Sequence, residues 1–474
     1  MADVTPMRIG SKEVTTDDVA VVASPYDGHE VGRVPVGTVA HLDVAVEEAL
    51  ARHEEGALPA WERAEILDRA AALLAGRTEE FAQLIAAEAA KPIETARVEA
   101  ARAVDTFRFS AAVARTLTGE TIPLDASSAG VGKLGFVLRV PIGVVGAISP
   151  FNFPLNLVAH KLAPAIAAGC PVVLKPASAT PLTALALAGL LLDEAGLPPG
   201  WLHVVTCPGR VANALVEHDD VSMITFTGSP PVGWGIRAQA PRKKVSLELG
   251  NNSPVIIEPD ADWQAAAAKI AVAGYSFAGQ SCISVQRVYA HDSIRDPFVA
   301  ALSAAVDALV VGDPLDEATD VSALINRGET ERVKSWVDDA VAEGAVVRAG
   351  GDYAADQVLR PTVLDGVRPE MEVCATEVFG PVVGVQAYTD FEVALDLAND
   401  SRYGLQAGVF TASLDRAMRA ARRLDFGGVT VNEVPTWRAD QMPYGGLRDS
   451  GNTREGPGYA AREMTEERLV VIQG

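Results

Sequence analysis

The chain has 474 residues, 49% of them apolar and 22% charged, which excludes a disordered or fibrous protein. At one domain per roughly 150 residues there is room for about three folded units. Its 62 acidic and 40 basic side chains leave a net charge of −22, which repels nucleic acid and anionic lipid and disfavours both as partners.

In chain order, the first stretch (MADVTPMRIGSKEVTTDDVA) lacks the apolar run of a secretory signal and carries acids where a transit peptide avoids them, so the cytoplasm is the expected compartment. Residues 44–102 are Ala-rich with apolar positions three and four apart, as at Ile66, Leu67, Ala70, Leu73 and Leu74. That spacing predicts several consecutive amphipathic helices. Residues 130–135 fit G-x-G-x-x-G, but they follow a Ser-rich turn and lead into the strand FVLRV, so a hairpin turn is expected there rather than a nucleotide site. This strand, within 122–140, and the tail EERLVVIQG have no helices to cover them and are expected to form an exposed arm that pairs with another subunit. The longest uncharged tract, 140–159, is broken by Pro141, Pro150 and Pro154, so it reads as buried protein rather than a membrane span.

From Gly143 onward short apolar runs alternate with helical stretches. The runs VVGAIS, PVVLK, LHVVT and SMITFTGS predict strands, and residues 156–168, 183–195 and about 211–217 predict helices. This is the pattern of parallel βαβ units in a doubly wound sheet. It resumes after the Gly250-Asn251-Asn252 turn at SPVIIE, QRVYAH, VVRAG and PVVGVQAY, which predicts a second α/β domain from 251.

Four cysteines (Cys170, Cys207, Cys282, Cys374) are too dispersed for a disulfide framework or a metal knuckle, so an important one is expected to act alone as a reduced thiol. Seven histidines show no metal-ligand spacing and no Walker loop is present, so neither a metal site nor a P-loop is expected. Reactive groups instead cluster in the loops. Residues 277–282 (FAGQSC) bring the Cys282 thiol in behind small residues that allow close backbone approach. Residues 149–154 (SPFNFP) end a strand with a proline-flanked Asn152. LELG ends another with Glu248 between two leucines, where burial raises a carboxyl toward the pKa of a useful base. Gly228 and Gly233 put a Gly-rich turn at a helix start, able to receive a phosphate.

Taken together and in order, PFNFP, LKPASATP, FTGSPPVG, LELG, FAGQSC, EVFGPV and MPYGGLRDSG resemble the aldehyde dehydrogenase superfamily from about Val22 to the C-terminus. The resemblance implies an α/β fold of two doubly wound parallel-sheet domains plus a β oligomerisation arm. The dinucleotide-binding domain is expected at 1–121 and 142–250, the catalytic domain at 251–449, and the arm at 122–141 and 455–474.

The same resemblance implies residue roles. Cys282 is the nucleophile, which gives a thiohemiacetal with the aldehyde. Asn152 donates to the oxyanion together with the Cys282 backbone N–H. Glu248 activates the water that hydrolyses the thioester, and Lys161 joins the catalytic set. For an NAD or NADP cofactor, Lys175, Ala177, Ser178 and Gly209 meet the adenosine end. Gly228 and Ser229 contact the pyrophosphate, and Phe226, Thr227 and Val232 join the cofactor-binding set. Ile148, Ser149, Pro150, Phe151, Asn152, Glu248, Leu249 and Gly250 form walls, and Glu377 with Phe379 holds the nicotinamide ribose. NAD-preferring relatives often carry Glu at the place of Ser178; a neutral Ser makes NADP admissible. Where relatives have a second Gly after LELG this chain has Asn251, tolerated because Asn accepts left-handed backbone angles.

Substrate contacts are expected from Arg108, Asn156, His160, Ser281, Ile283, Trp437 and Arg438. A cluster of Arg108, His160 and Arg438 would make a cationic mouth for a small hydroxylated or anionic aldehyde. The expected function is NAD(P)-dependent oxidation of an aldehyde to a carboxylic acid by a homodimer or homotetramer. The alternatives are a coenzyme A-acylating aldehyde dehydrogenase and a non-catalytic cofactor-binding structural protein.

Overall fold

The computed structural model describes residues 4–474; residues 1–3, the start of the first range given above, lie outside it. Four helices, Val39–Glu54, Ala60–Ala75, Thr78–Ala89 and Ile93–Thr116, form the Ala-rich N-terminal layer. The second and fourth of these pack on the buried helix Asn156–Ala168, the third packs on the fourth, and Leu67, Phe81, Phe107 and Leu162 share one core; the first helix buries Leu42, Val46 and Ala49 in a separate core with Val144 and Val173. Small side chains allow this close helix packing, and the long ones fill the gaps.

The first sheet has seven strands. Its central strands Lys244–Glu248, Val221–Thr227, Val144–Ile148, Val172–Lys175 and Leu202–Val204 run parallel. Met7–Ile9 and Lys12–Val14 add an antiparallel edge. The register pairs Ile148 with both Phe226 and Lys175, and Thr227 with Glu248. The carboxyl ends of four strands therefore lie along one rim, where open α/β sheets bind ligands.

A second seven-stranded sheet contains Thr362–Asp365, Val382–Tyr388, Val285–His291, Ser253–Ile257, Gln406–Phe410 and Gly428–Val431 in parallel. The segment VVRAG differs from the uniform parallel pattern expected of it: Val346–Ala349 is an antiparallel edge strand, mostly exposed. The expected helix over 183–195 is α-helical only in Leu182–Gly189 and continues as a π-helical turn, Leu190–Glu194. The wider turn ends a segment whose leucines are almost all buried, and periodicity alone does not separate the two helix types.

The strands of the expected arm pair with each other. Thr465–Gln473 lies antiparallel to Lys133–Pro141 from Thr465↔Pro141 to Gln473↔Lys133, and Thr121–Ile122 pairs on the other side. Gly132, at φ +78°, makes the turn that leads into this arm from the G-x-G-x-x-G segment. Within 455–474, Pro457–Glu463 is helical and its Ala461 joins the core beneath the first sheet. Among the described residues no helix is long and apolar enough to cross a membrane, and no group of His, Cys, Asp and Glu could hold a metal ion.

Candidate active site

A cavity of about 700 Å³ runs along the rim of the first sheet toward the second. All the residues expected to touch the cofactor line it: Ile148, Ser149, Pro150, Phe151, Asn152, Lys175, Ala177, Ser178, Gly209, Phe226, Thr227, Gly228, Ser229, Val232, Glu248, Leu249, Gly250, Glu377 and Phe379. Cys282 lies in the same wall.

One end is basic and lacks acids. Lys175 is buried, and its Nζ has one hydrogen bond, a long one of 3.4 Å to Ser178 Oγ. Burial lowers its pKa. In the middle, Ser229 precedes the helix Pro230–Gln239; with prolines at 230 and 231, only the Ser229 and Val232 N–H groups are left at this helix start to face an anion. A Cβ on Gly228 would stand 2.5 Å from the Phe226 ring and one on Gly233 would stand 2.4 Å from Leu249, so a side chain at either position would displace a neighbour that lines the cavity.

Three groups meet at the other end. Asn152, held between Pro150 and Pro154, is buried and donates from Nδ2 to the Gln280 carbonyl at 3.0 Å, which leaves its second N–H free. Glu248 ends the strand Lys244–Glu248, fully buried, with no partner for either carboxylate oxygen. Burial, followed by repulsion from Glu455, raises its pKa well above the ordinary carboxylate range. Cys282 follows three left-handed residues, Phe277 (φ 51°), Ala278 (φ 52°) and Gly279 (φ 72°). A Cβ at 279 would come within 2.1 Å of the Gly380 carbonyl, so this loop approaches its neighbour as closely as backbone can. Burial pushes the Cys282 thiol up to about 12, although a hydrogen bond to Tyr444 pulls it down.

Glu377 accepts from the Asn251 backbone N–H at 2.8 Å, and burial lifts its carboxyl to about 8. Asn251 does not use the left-handed conformation expected of it. Instead its amide bonds Ser253 Oγ and the Gln406 carbonyl, and its Oδ1 accepts from the Leu405 N–H, so side-chain hydrogen bonding is what suits Asn to this site.

The residues expected to meet substrate separate into three groups. Ser281 and Ile283 flank Cys282, and Ile283 packs with Leu405 and Tyr444. Asn156, His160 and Lys161 are fully buried on their helix. Lys161 donates to Thr225 and Thr227 at 3.2 and 2.7 Å. The cationic mouth does not form: Arg108 is on the surface beside Asp105 at 3.3 Å, and Trp437 is 54% exposed. Arg438 is buried, ion-paired to Glu455 at 2.7 Å, with its guanidinium 3.9 Å over the Tyr444 ring. Its Nη2 also reaches His160 Nε2 at 3.1 Å, and its Nε is buried without a partner.

Several residues absent from the sequence analysis meet here. Tyr444 Oη contacts Cys282 Sγ at 2.9 Å. Asp440 accepts from Asn156 and His160 at 3.1 and 3.0 Å and from Arg102 at 2.8 Å. Although burial alone would raise it, these partners hold Asp440 below the usual carboxylate range. Glu329, Arg332 and Trp336, from the helix Arg327–Ala342, close the cavity opposite the first sheet. Tyr444 lies inside a motif already noted, whereas the others carry no local signal. A second cavity of about 20 Å³, large enough for about one water, lies behind Glu248 and is bordered by Thr225, Ser246, Thr453 and Glu455.

The family description "Aldehyde dehydrogenase family" matches residues 13–470. The 3-sulfolactaldehyde dehydrogenase of Priestia megaterium is 46% identical over 459 residues, covering 97% of this chain and 96% of that protein. The lactaldehyde dehydrogenase of Methanocaldococcus jannaschii is 37% identical over 472 residues, covering 98% and 100%. Among solved structures, aldehyde dehydrogenase 21 of Physcomitrella patens with the product succinate superposes with TM-score 0.96 at 39% identity, covering 100% and 99%. The NADP-dependent glyceraldehyde-3-phosphate dehydrogenase of Bacillus halodurans with NADP gives 0.95 at 36%, covering 99% of each chain.

Proposed function

Because the chain belongs to the aldehyde dehydrogenase family, we propose that it oxidises a three-carbon 2-hydroxyaldehyde to its carboxylic acid with NAD or NADP, releasing the acid by hydrolysis. The observation that carries this reading is the convergence of the Cys282 thiol, the Asn152 amide and the unpartnered Glu248 carboxylate at one end of a cavity that runs on past a helix N-terminus to Lys175.

In the proposed cycle the Cys282 thiol loses its proton to solvent, the sulfur attacks the aldehyde carbon, and negative charge develops on the former carbonyl oxygen. The free N–H of Asn152 and the Cys282 backbone N–H take that charge. A nicotinamide held beside Glu377 and Phe379 would supply the acceptor for the hydride lost from the same carbon, and Cys282 would keep the remaining acyl group as a thioester. Glu248 then removes a proton from water as the water adds to the thioester, and the C–S bond breaks to free the acid and restore the thiol. Burial of Glu248 supports this role twice over: it raises the pKa toward working pH and leaves both oxygens free for water. Release to coenzyme A would not need such a base.

For the cofactor, the helix start at Ser229 suits the pyrophosphate and Glu377 suits a ribose hydroxyl pair. At the adenosine end a carboxylate would select NAD; this chain has Ser178 beside Lys175, a pair that also accepts a 2′-phosphate.

The substrate class rests on a shared skeleton. Sulfolactaldehyde, lactaldehyde and glyceraldehyde 3-phosphate, named by three of the similar proteins, are all 2-hydroxypropanals that differ at carbon 3. Asn156, His160 and Asp440 do not line the cavity; buried and bonded to one another, they stand behind the site, so the substrate class rests on the shared skeleton alone. A panel of lactaldehyde, sulfolactaldehyde, glyceraldehyde 3-phosphate and succinate semialdehyde, each with NAD and NADP and read by absorbance of the reduced cofactor, tests the proposal. A preference of tenfold or more in kcat/KM for succinate semialdehyde over every 2-hydroxyaldehyde would overturn it.

We also place the enzyme in the cytoplasm as a homodimer or homotetramer. The arm exposes Leu134, Leu138, Leu469, Val471 and Ile472, an apolar surface that a second subunit would cover.

A further inference from the structure

Beneath the loop that carries Asn152 lies an ion pair that the proposed chemistry does not use. Lys91 and Glu99 are both fully buried and bonded to each other. Lys91 stands just before the helix Ile93–Thr116, and Glu99 lies two turns into it. Their remaining bonds go to the active-site loop. Lys91 Nζ donates to the backbone carbonyl of Asn152 at 2.6 Å. Glu99 Oε1 accepts from the backbone N–H groups of Leu155 and Asn156 at 2.9 and 3.1 Å. The same ammonium lies 3.8 Å from the centre of the Phe153 ring and 4.6 Å from that of Phe277. Phe277 is the first of the left-handed residues that deliver Cys282.

A buried ion pair is weak evidence for stability, because desolvation offsets most of its attraction. The partners of this pair point to a different role. Its hydrogen bonds fix both ends of the turn that aims Asn152, and its aromatic contacts bridge that turn to the nucleophile loop. The two loops meet again directly, through Asn152 Nδ2 and the Gln280 carbonyl at 3.0 Å.

We propose that Lys91 and Glu99 are positioning residues that set the distance between the oxyanion donor Asn152 and the nucleophile Cys282. The inference rests on the role given to Asn152 above. Lys91 bonds the Asn152 carbonyl and Glu99 the Leu155 and Asn156 N–H groups, so each holds one end of the turn.

The test compares the pre-steady-state burst of reduced cofactor in the wild type, Lys91→Met/Glu99→Gln, Glu99→Gln and Asn152→Ala. The double variant removes the charges together and keeps an oxygen at 99 for Leu155 and Asn156, so it avoids stranding a buried carboxylate. The expected result is a folded double variant whose burst rate constant falls at least tenfold while the KM for cofactor stays within threefold, with Glu99→Gln alone, which strands the buried Lys91 ammonium, slowed at least as much. A wild-type burst rate in the double variant overturns the inference, and so does failure of that variant to fold, which would assign the pair to folding. If Asn152→Ala itself bursts at the wild-type rate, the reading of the site fails instead, whatever the pair does.

Discussion

Tyr444 Oη and Cys282 Sγ are 2.9 Å apart, and the face of the same Tyr444 ring carries the Arg438 guanidinium at 3.9 Å. A cation over the ring draws electron density from it and makes the phenol a stronger hydrogen-bond donor. The phenol thus opposes the burial that otherwise holds the thiol protonated. This contact favours the thiolate, but burial beside apolar Ile283 and Leu405 outweighs it and leaves the thiol at about 12. Tyr444→Phe should slow both the burst and the alkylation of Cys282 by iodoacetamide at pH 8 by about tenfold, since a hydrogen bond to a charged group is worth roughly 1.5–3 kcal/mol. Mass-spectrometric mapping of the alkylated cysteine over time checks this.

Glu248→Gln should keep the first-turnover burst and lose at least about a hundredfold in steady-state turnover, in line with the loss of a general base. In the wild type, turnover should climb with pH through a range above that of ordinary carboxylates, because only ionised Glu248 can take the proton and burial has raised its pKa. That limb should vanish in Glu248→Gln. A raised acid also contributes most to stability below its unfolded pKa, and that contribution is lost as pH rises through the folded pKa. Thermal unfolding should therefore decline less steeply toward alkaline pH in Glu248→Gln than in wild type.

The location of the fold and of the reacting groups was legible in the sequence because both are local signals. Strand-end motifs such as PFNFP and LELG carry their chemistry within a few residues, and parallel strands in register bring such ends to one rim. The cationic mouth does not form because the partners that settle these side chains are remote in sequence. Arg102 meets Asp440 across 338 positions, and Lys91 meets the Asn152 carbonyl across 61. Nothing near Arg438 in sequence announces that Glu455 neutralises it. Helical phase did hold part of the answer: Thr106 faces Asn156, and Arg108 lies about 200° round the helix from it, toward solvent.

Two arginines should accordingly behave in opposite ways. Arg108→Ala should leave kcat/KM for every aldehyde within twofold and the unfolding temperature unchanged, because the side chain is exposed and its pair with Asp105 is a weak surface contact. Arg438→Met should destabilise the protein by about 3–5 kcal/mol by stranding Glu455 in the interior. Denaturant titration of both variants, with parallel kinetics, separates the cases.

At the adenosine end, Ser178→Glu should raise the KM for NADP by at least about tenfold and change that for NAD by less than threefold, because a carboxylate there repels a 2′-phosphate and can bond a 2′-hydroxyl. Equal effects on the two cofactors would place the 2′ position elsewhere.

The covalent step through Cys282 is tested most directly by trapping it. Glu248→Gln, mixed with NAD or NADP and the best aldehyde of the panel and then quenched in acid, should show an intact-mass increase of one acyl group per chain. Peptide mapping should assign that group to Cys282, and Cys282→Ala should show neither adduct nor reduced cofactor. An unmodified Cys282 in Glu248→Gln that has nonetheless reduced one equivalent of cofactor, or continued turnover by Cys282→Ala, would contradict the account.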